Sequence, residues 1–265
     1  MLTFVGLGLY DERSVTVAGR DAIAAADRAF AEFYTSRLVG ADLATLEDYH
    51  GIDVEVRDRE GVERDPGPIL DAAEDGDAVF LTAGDTMIST THVDLRLRAE
   101  ERGIDTRVVH APTAESAASS LTGLQNYRFG KATTLPFEWA HGADGVPASV
   151  LETVGANRER GLHTLCYLDI KVDHPRVDGD EYMIASHAAG LLADDWDADA
   201  LGVVVARAGA PDAEVRADRL GALADLDFGD PLHLLVVPGD LHHVEADALA
   251  GLADAPDAVV DENRA

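Results

Sequence analysis

The feature that most constrains this chain is an alternation in its first part. Apolar stretches that end in glycine take turns with stretches rich in alanine or patterned like amphipathic helices. "LTFVGLG" (2–8) reads as a strand, and residues 15–28 as a helix. "AFAEFY" (29–34) is a second strand, and "DLATLEDYH" (42–50) a short helix with Asp42 as its N-cap. "IDVEVR" (52–57) alternates like a strand, and residues 68–74 look helical. "DAVFLTAGD" (77–85) is a strong strand that closes on Gly84-Asp85. A helix over 92–102 and a strand "TRVVHA" (106–111) end the series. Strands and helices alternating at this spacing predict a parallel sheet covered by helices, an α/β domain.

Around Ala111 to Thr113 the regular alternation stops, which sets the expected boundary between an N-terminal domain, 1–112, and a C-terminal one, 113–265. Beyond it, "HTLCYLDIKV" (163–172), "ALGVVVARAG" (200–209) and "PLHLLVVPGD" (231–240) read as long strands. "PASVLETVGANRERG" (147–161), "EYMIASHAAGLLADDW" (181–196) and "HHVEADALAGLAD" (242–254) read as helices. "AEVRADRLGAL" (213–223) fits either, and the polar "DHPRVDGDEY" (173–182) reads as a loop.

Composition narrows the function. The formal net charge is −29, the acidic residues are spread along the chain, and Lys131 and Lys171 are its only lysines. Self-repulsion of that size destabilises a compact state at low salt, and screening over roughly 3 Å at 1 M salt removes much of it. The charge therefore predicts a high-salt habitat and argues against broad nucleic-acid binding, which needs a basic surface. Cys166, the single cysteine, sits in an apolar run and reads as a small buried side chain. No apolar run approaches the roughly 18 residues that cross a bilayer, so no membrane association is expected. The N-terminus shows no basic stretch followed by an apolar one, and the expected location is the cytoplasm.

Gly6 and Gly8 begin a G-x-G-x-x-G pattern, but Asp11 stands where the third glycine should permit close helix–strand packing. What remains is a tight turn or a turn that lets a ligand approach the backbone. In an open parallel sheet, ligands bind beyond the carboxyl ends of the strands. Asp85 lies there, at the same edge as Gly8, and is otherwise a helix cap. His92 is expected to cap or pack. With Asp85 it lacks a third ligand, and the adjacent His242 and His243 point in two directions, so no metal site is expected. His233 inside "PLHLLVV" reads as a core residue. No Ser-His-Asp elbow, P-loop or paired cysteine motif is present.

Taken in order, "FVGLGLYDERSVT", "AEFYTS", "TAGD" with "TTH", "VVHAPT", "GLQNY" with "FGK", "ERGLHTL" with "LDIK", "VVARAG", and "FGDPLHLLVVPG" with "LHHVEA" resemble the diphthine synthases of the tetrapyrrole methylase superfamily over nearly the whole chain. The resemblance implies two α/β domains, the first with a mostly parallel sheet, the second with a mixed one, and S-adenosyl-L-methionine in a cleft between them. It assigns the glycine turn to that cofactor. The implied reaction is N-methylation of the 3-amino-3-carboxypropyl group carried by a histidine of translation elongation factor 2, giving diphthine in diphthamide biosynthesis. A homodimer is the implied assembly.

Carried over motif by motif, the implied cofactor contacts are Leu9 from the first glycine turn, then Asp85 and Ile88 from the second. Thr113 and Ala114 follow from "APTAE", Leu168 from the end of "LCYL", Ala208 from "ARAG", and His233 from "GDPLH". Two departures fall at positions expected to face the cofactor. Thr86 stands where the family often has proline, and Thr113-Ala114 where it often has serine and a larger apolar residue. The acceptor amine must be neutral to attack. No side chain is assigned as its base; deprotonation by water is expected, and His233→Gln is the substitution that tests this. The competing readings are a corrin- or porphyrin-ring methyltransferase of the same superfamily and a non-catalytic nucleotide-binding module.

Overall fold

Apolar runs buried along their whole length cannot be edge strands, and this decides the layout of the first half. The structure is a computed structural model that describes residues 1–142, 145–172 and 174–265. It divides into two compact units, Met1–Thr113 and Ala114–Ala265.

In the first unit the chain runs β1 (Leu2–Gly6), α1 (Val17–Ala24), β2 (Arg28–Glu32), α2 (Leu43–His50) and β3 (Val54–Val56). Then come α3 (Arg59–Glu63), α4 (Gly67–Asp75), β4 (Ala78–Thr82), α5 (His92–Glu101) and β5 (Thr106–Val109). The sheet order is β3-β2-β4-β1-β5, every pair parallel. β1 and β4 are buried at all positions and lie inside the sheet. Their side chains alternate between faces. Leu2, Phe4 and Phe80 pack with Ile69 of α4 and Leu95 of α5 on one face. Val5, Leu7 and Leu81 pack with Ile23 of α1 and Leu46 of α2 on the other. Asp42 caps α2 as expected, accepting from the Thr45 backbone N–H at 2.8 Å. The unforeseen α3 has the same device, Asp58 accepting from Gly61 N at 2.8 Å.

The second unit opens with α6 (Ala114–Thr122) and β6 (Thr133–Leu135), then α7 (Ala148–Arg158), β7 (Thr164–Leu168), β8 (Ile170–Lys171) and β9 (Glu181–Tyr182). It continues through α8 (Ala185–Leu192), β10 (Leu201–Ala206), β11 (Glu214–Arg219), α9 (Leu220–Ala224), β12 (His233–Val237), α10 (His243–Leu252) and α11 (Asp257–Glu262). The main sheet has the order β11-β10-β12-β7-β6. It is mixed: β6 and β7 are parallel, the other pairs antiparallel. Cys166 is fully buried in β7, opposite Leu235, and burial pushes its thiol pKa up to about 12.

Three expectations change here. The long strand over 163–172 ends at Leu168 and resumes as β8 after Asp169, whose carbonyl accepts from Met183 N at 2.9 Å and whose carboxylate accepts from Phe137 N at 3.1 Å. The helix expected from Glu181 starts only at Ala185, because Glu181 and Tyr182 pair with Lys171 and Ile170 as a small hairpin. For the same reason the polar stretch over 173–182 is irregular only across its described residues 174–180; Asp173 lies outside the described residues. The ambiguous 213–223 is both things, strand to Arg219 and helix from Leu220. Among the described residues no helix is long and apolar enough to cross a membrane.

Candidate functional site

The order β4-β1-β5 sets three strand ends side by side in the first unit. Gly6 is needed because a Cβ there would meet Gly84 O at 2.7 Å and Ala111 Cβ at 2.8 Å. Just beyond the strands, Gly8 and Gly84 take φ values of 79° and 74°, which favour glycine. They exchange backbone hydrogen bonds, Gly8 N to Gly84 O at 3.1 Å and Gly84 N to Gly8 O at 2.7 Å. A Cβ on Gly84 would have only Thr113 Oγ1 near it, at 3.8 Å, so within this unit a ligand has room to approach that backbone. The Leu9 carbonyl accepts from Asp11 N (2.9 Å) and from the Ser14 hydroxyl, which fixes the first turn. Asp11, in place of the third glycine, caps a short 3-10 turn over Glu12–Ser14, accepting from Arg13 N at 3.0 Å. The turn therefore differs in kind from a dinucleotide fingerprint.

Asp85 is 5% exposed. Its Oδ1 accepts from Met87 N at 3.0 Å. Its Oδ2 accepts from Ala111 N at 3.2 Å and from His110 Nδ1 at 2.9 Å. The His110 side chain itself is 75% exposed. This pairing, across 25 residues of sequence, is one that sequence reading misses. Ile88 is exposed in the turn after β4. Thr113 is half-buried beyond β5, and Ala114 is the half-buried first residue of α6 in the second unit.

Thr86 does not face outward: it is fully buried, its hydroxyl 3.5 Å from that of Thr82. His92 packs, as expected. It is buried edge-on to Phe80 at 5.0 Å, with Nδ1 3.0 Å from Thr86 O and Nε2 3.3 Å from Oε1 of the fully buried Glu32.

In the second unit the register Ala206↔His233 and Leu234↔Tyr167 gathers Leu168, Ala208 and His233 at one end of the sheet. His233 Nδ1 accepts from Ala185 N at 3.0 Å. The other nitrogen must then carry the proton, and it donates to Asp230 O at 2.9 Å. Burial lowers the His233 pKa, so the ring is neutral with both nitrogens committed. It fastens α8 to β12 and has no free lone pair for base catalysis.

The other end of that sheet carries a hub that the sequence reading did not single out. Glu245 is fully buried. It accepts from Gln125 N (2.9 Å), His163 Nε2 (3.0 Å) and His242 N (2.8 Å). His163 Nδ1 accepts from Gly239 N (3.1 Å), which fixes its tautomer, and burial lowers its pKa. Burial alone raises the Glu245 pKa, but its donors together hold the carboxyl below the usual range. Arg128 Nε lies 3.6 Å from the same carboxylate and its guanidinium donates to Gly161 O and Asp240 O. The hub explains why "YRFG", "RGLH" and "LHHVEA" occur together: they are stitched by one carboxylate. His242 and His243 do not diverge; His242 turns back over the helix start it caps, and the rings lie 4.0 Å apart. Among the described residues no group of three or more metal-ligating side chains converges.

Comparison with known proteins agrees with this layout. Residues 1–224 match the model of the tetrapyrrole (corrin/porphyrin) methylases. A diphthine synthase of Halobacterium salinarum is 82% identical over 256 residues, covering 97% of this chain and 98% of that protein. A diphthine synthase of Methanosarcina acetivorans is 46% identical over 271 residues, covering 99% of each. A solved crystal structure of diphthine synthase superposes with a TM-score of 0.88 at 36% identity, covering 98% of each chain. Two α/β units, the glycine-joined strand ends and these matches lead to one conclusion: the chain belongs to the tetrapyrrole methylase family, and within it to the diphthine synthases.

Proposed function

We propose that the chain uses S-adenosyl-L-methionine to methylate the amino group of a 3-amino-3-carboxypropyl-histidine on translation elongation factor 2, forming diphthine. The observation that carries this reading is the reciprocal Gly8–Gly84 backbone pair, which joins the ends of β1 and β4 beside the buried Asp85. When bound, the cofactor supplies a methyl group on a sulfonium. Leu9, Asp85, Ile88 and Thr113 in the first unit, and Ala114, Leu168, Ala208 and His233 in the second, are the residues proposed to hold it. Asp85 is the charged member of the set, and its carboxylate is fixed in place by two backbone N–H groups. The remaining members are mainly apolar, which suits a donor whose positive charge disperses as the methyl leaves. His233 contributes a rigid wall, since both its nitrogens are engaged within the protein. A homodimer in the cytoplasm is the proposed setting. Ring methylation and a binding-only role are not favoured, because the relatives named above are diphthine synthases.

Two measurements test the reading. Calorimetry in concentrated KCl should show binding of S-adenosylmethionine and its demethylated product in preference to NAD or ATP. Mass spectrometry of carboxypropylated elongation factor 2, incubated with the chain and the cofactor, should show added methyl groups. No affinity for either form of the cofactor would refute it.

A further inference from the structure

We infer that His110 is the general base of the methylation, with Asp85 as its positioning residue; this rests on the function proposed above. His110 follows β5 at the shared edge where the three strand ends of the first unit meet. Its Nδ1 lies 2.9 Å from Asp85 Oδ2. A carboxylate can only accept, so Nδ1 carries a hydrogen and Nε2 is the ring nitrogen left to take up a proton. Asp85 cannot turn away from His110. It is 5% exposed and is held by the backbone N–H groups of Met87 and Ala111 as well. The imidazole, by contrast, is 75% exposed. The result is a buried carboxylate that sets the tautomer of an open imidazole, the arrangement that makes a side chain a proton acceptor.

The three buried histidines do not offer this. His233 and His163 spend both nitrogens inside the second unit. His92 is buried beneath β4, packed on Phe80. The sequence alone assigns the proton to water; His110 offers a better acceptor for an amine of ordinary basicity, which arrives as an ammonium with no lone pair to attack. One N–H bond of the ammonium breaks and its electron pair stays on nitrogen. The proton forms a bond to His110 Nε2, and the imidazolium then releases it to water.

The test has three readouts on the full chain. His110→Ala and His110→Gln should lower the single-turnover methylation rate by about 10²-fold or more, the usual weight of a general base. Both should leave calorimetric affinity for S-adenosylhomocysteine unchanged, and added imidazole should restore part of the rate in His110→Ala. Nitrogen NMR of the histidine-labelled wild-type chain, with no cofactor present, should show the neutral ring of His110 protonated on Nδ1. A wild-type rate in His110→Ala, or a proton on Nε2, overturns this assignment alone. A wild-type chain that neither binds cofactor nor methylates overturns the underlying function and the assignment together.

Discussion

Replacing Glu245 with glutamine changes one atom in the buried hub and separates charge from shape. In the wild type, Oε1 accepts from Gln125 N and His163 Nε2, while Oε2 accepts from His242 N. A glutamine that keeps its oxygen toward Gln125 and His163 points an NH2 at the His242 N–H, donor against donor. Reversed, it leaves two donors unmet. A buried donor without a partner costs about 1–3 kcal/mol, and the bonds that survive lose their charge assistance. We expect a loss of about 3 kcal/mol, which at about 2–4 °C per kcal/mol for a chain of this size lowers the melting temperature by roughly 6–12 °C. Thermal unfolding followed by circular dichroism at pH 7 in molar KCl measures it. The sign with pH is fixed. The Glu245 carboxyl titrates below the usual range in the folded state. Its stabilisation is therefore complete above the ordinary carboxylate pKa and is lost as pH falls through the folded value. The gap between variant and wild type should close there. The hub lies at the end of the sheet away from Leu168 and His233, so cofactor affinity should be unchanged. A variant that melts with the wild type at pH 7 would refute the assignment of three hydrogen bonds to this carboxylate.

Three further outcomes follow from the same geometry. His233→Gln can still accept from Ala185 N–H and donate to Asp230 O, so it should retain turnover; His233→Ala leaves both unmet and should cost about 2–4 kcal/mol in denaturant unfolding. Gly6→Ala drives a methyl against Gly84 O and Ala111 and should cost about 1–3 kcal/mol or more while abolishing calorimetric binding of the cofactor; unchanged affinity would sever the strand-end junction from the site. Burial lowers the pKa of His163 and His233, so the unfolded chain takes up protons that the folded one refuses. Stability should therefore fall as pH drops below about 6.5, by up to about 1.4 kcal/mol per pH unit per histidine, and a flat profile in chemical denaturation would contradict neutral rings.

Much of the first unit could be read from its sequence, because buried parallel strands announce themselves as unbroken apolar runs. β1 and β4 are of this kind, and Asp42 announced its helix by capping chemistry. The second unit was harder to read for physical reasons. α6, "AESAASSLT", has almost no large apolar side chain to mark a period, and β6 is three residues long. β11 and α9 share one continuous amphipathic pattern, so only pairing with β10 separates them. At the site, the glycine turns and Asp85 stood out as strand-end features. The Asp85–His110 pair did not, because it forms through space between the ends of β4 and β5 with no fixed sequence spacing. The role of Glu245 was hidden likewise: its donors come from residues 125, 163 and 242, which only the fold brings together.

Cys166 carries a practical consequence. It is the only thiol in the chain, fully buried in the core on one face of the sheet with Leu135, Val154 and Leu235. A raised pKa and zero access leave it unreactive while the sheet is closed. Alkylation must wait for that face to be uncovered, by the helices packed on it lifting away or by the sheet coming apart. The labelling rate of the native, unmutated chain is thus a clock for openings of the second unit, and its slowing on addition of a ligand would report, without a dye or an engineered probe, how firmly that ligand locks the sheet.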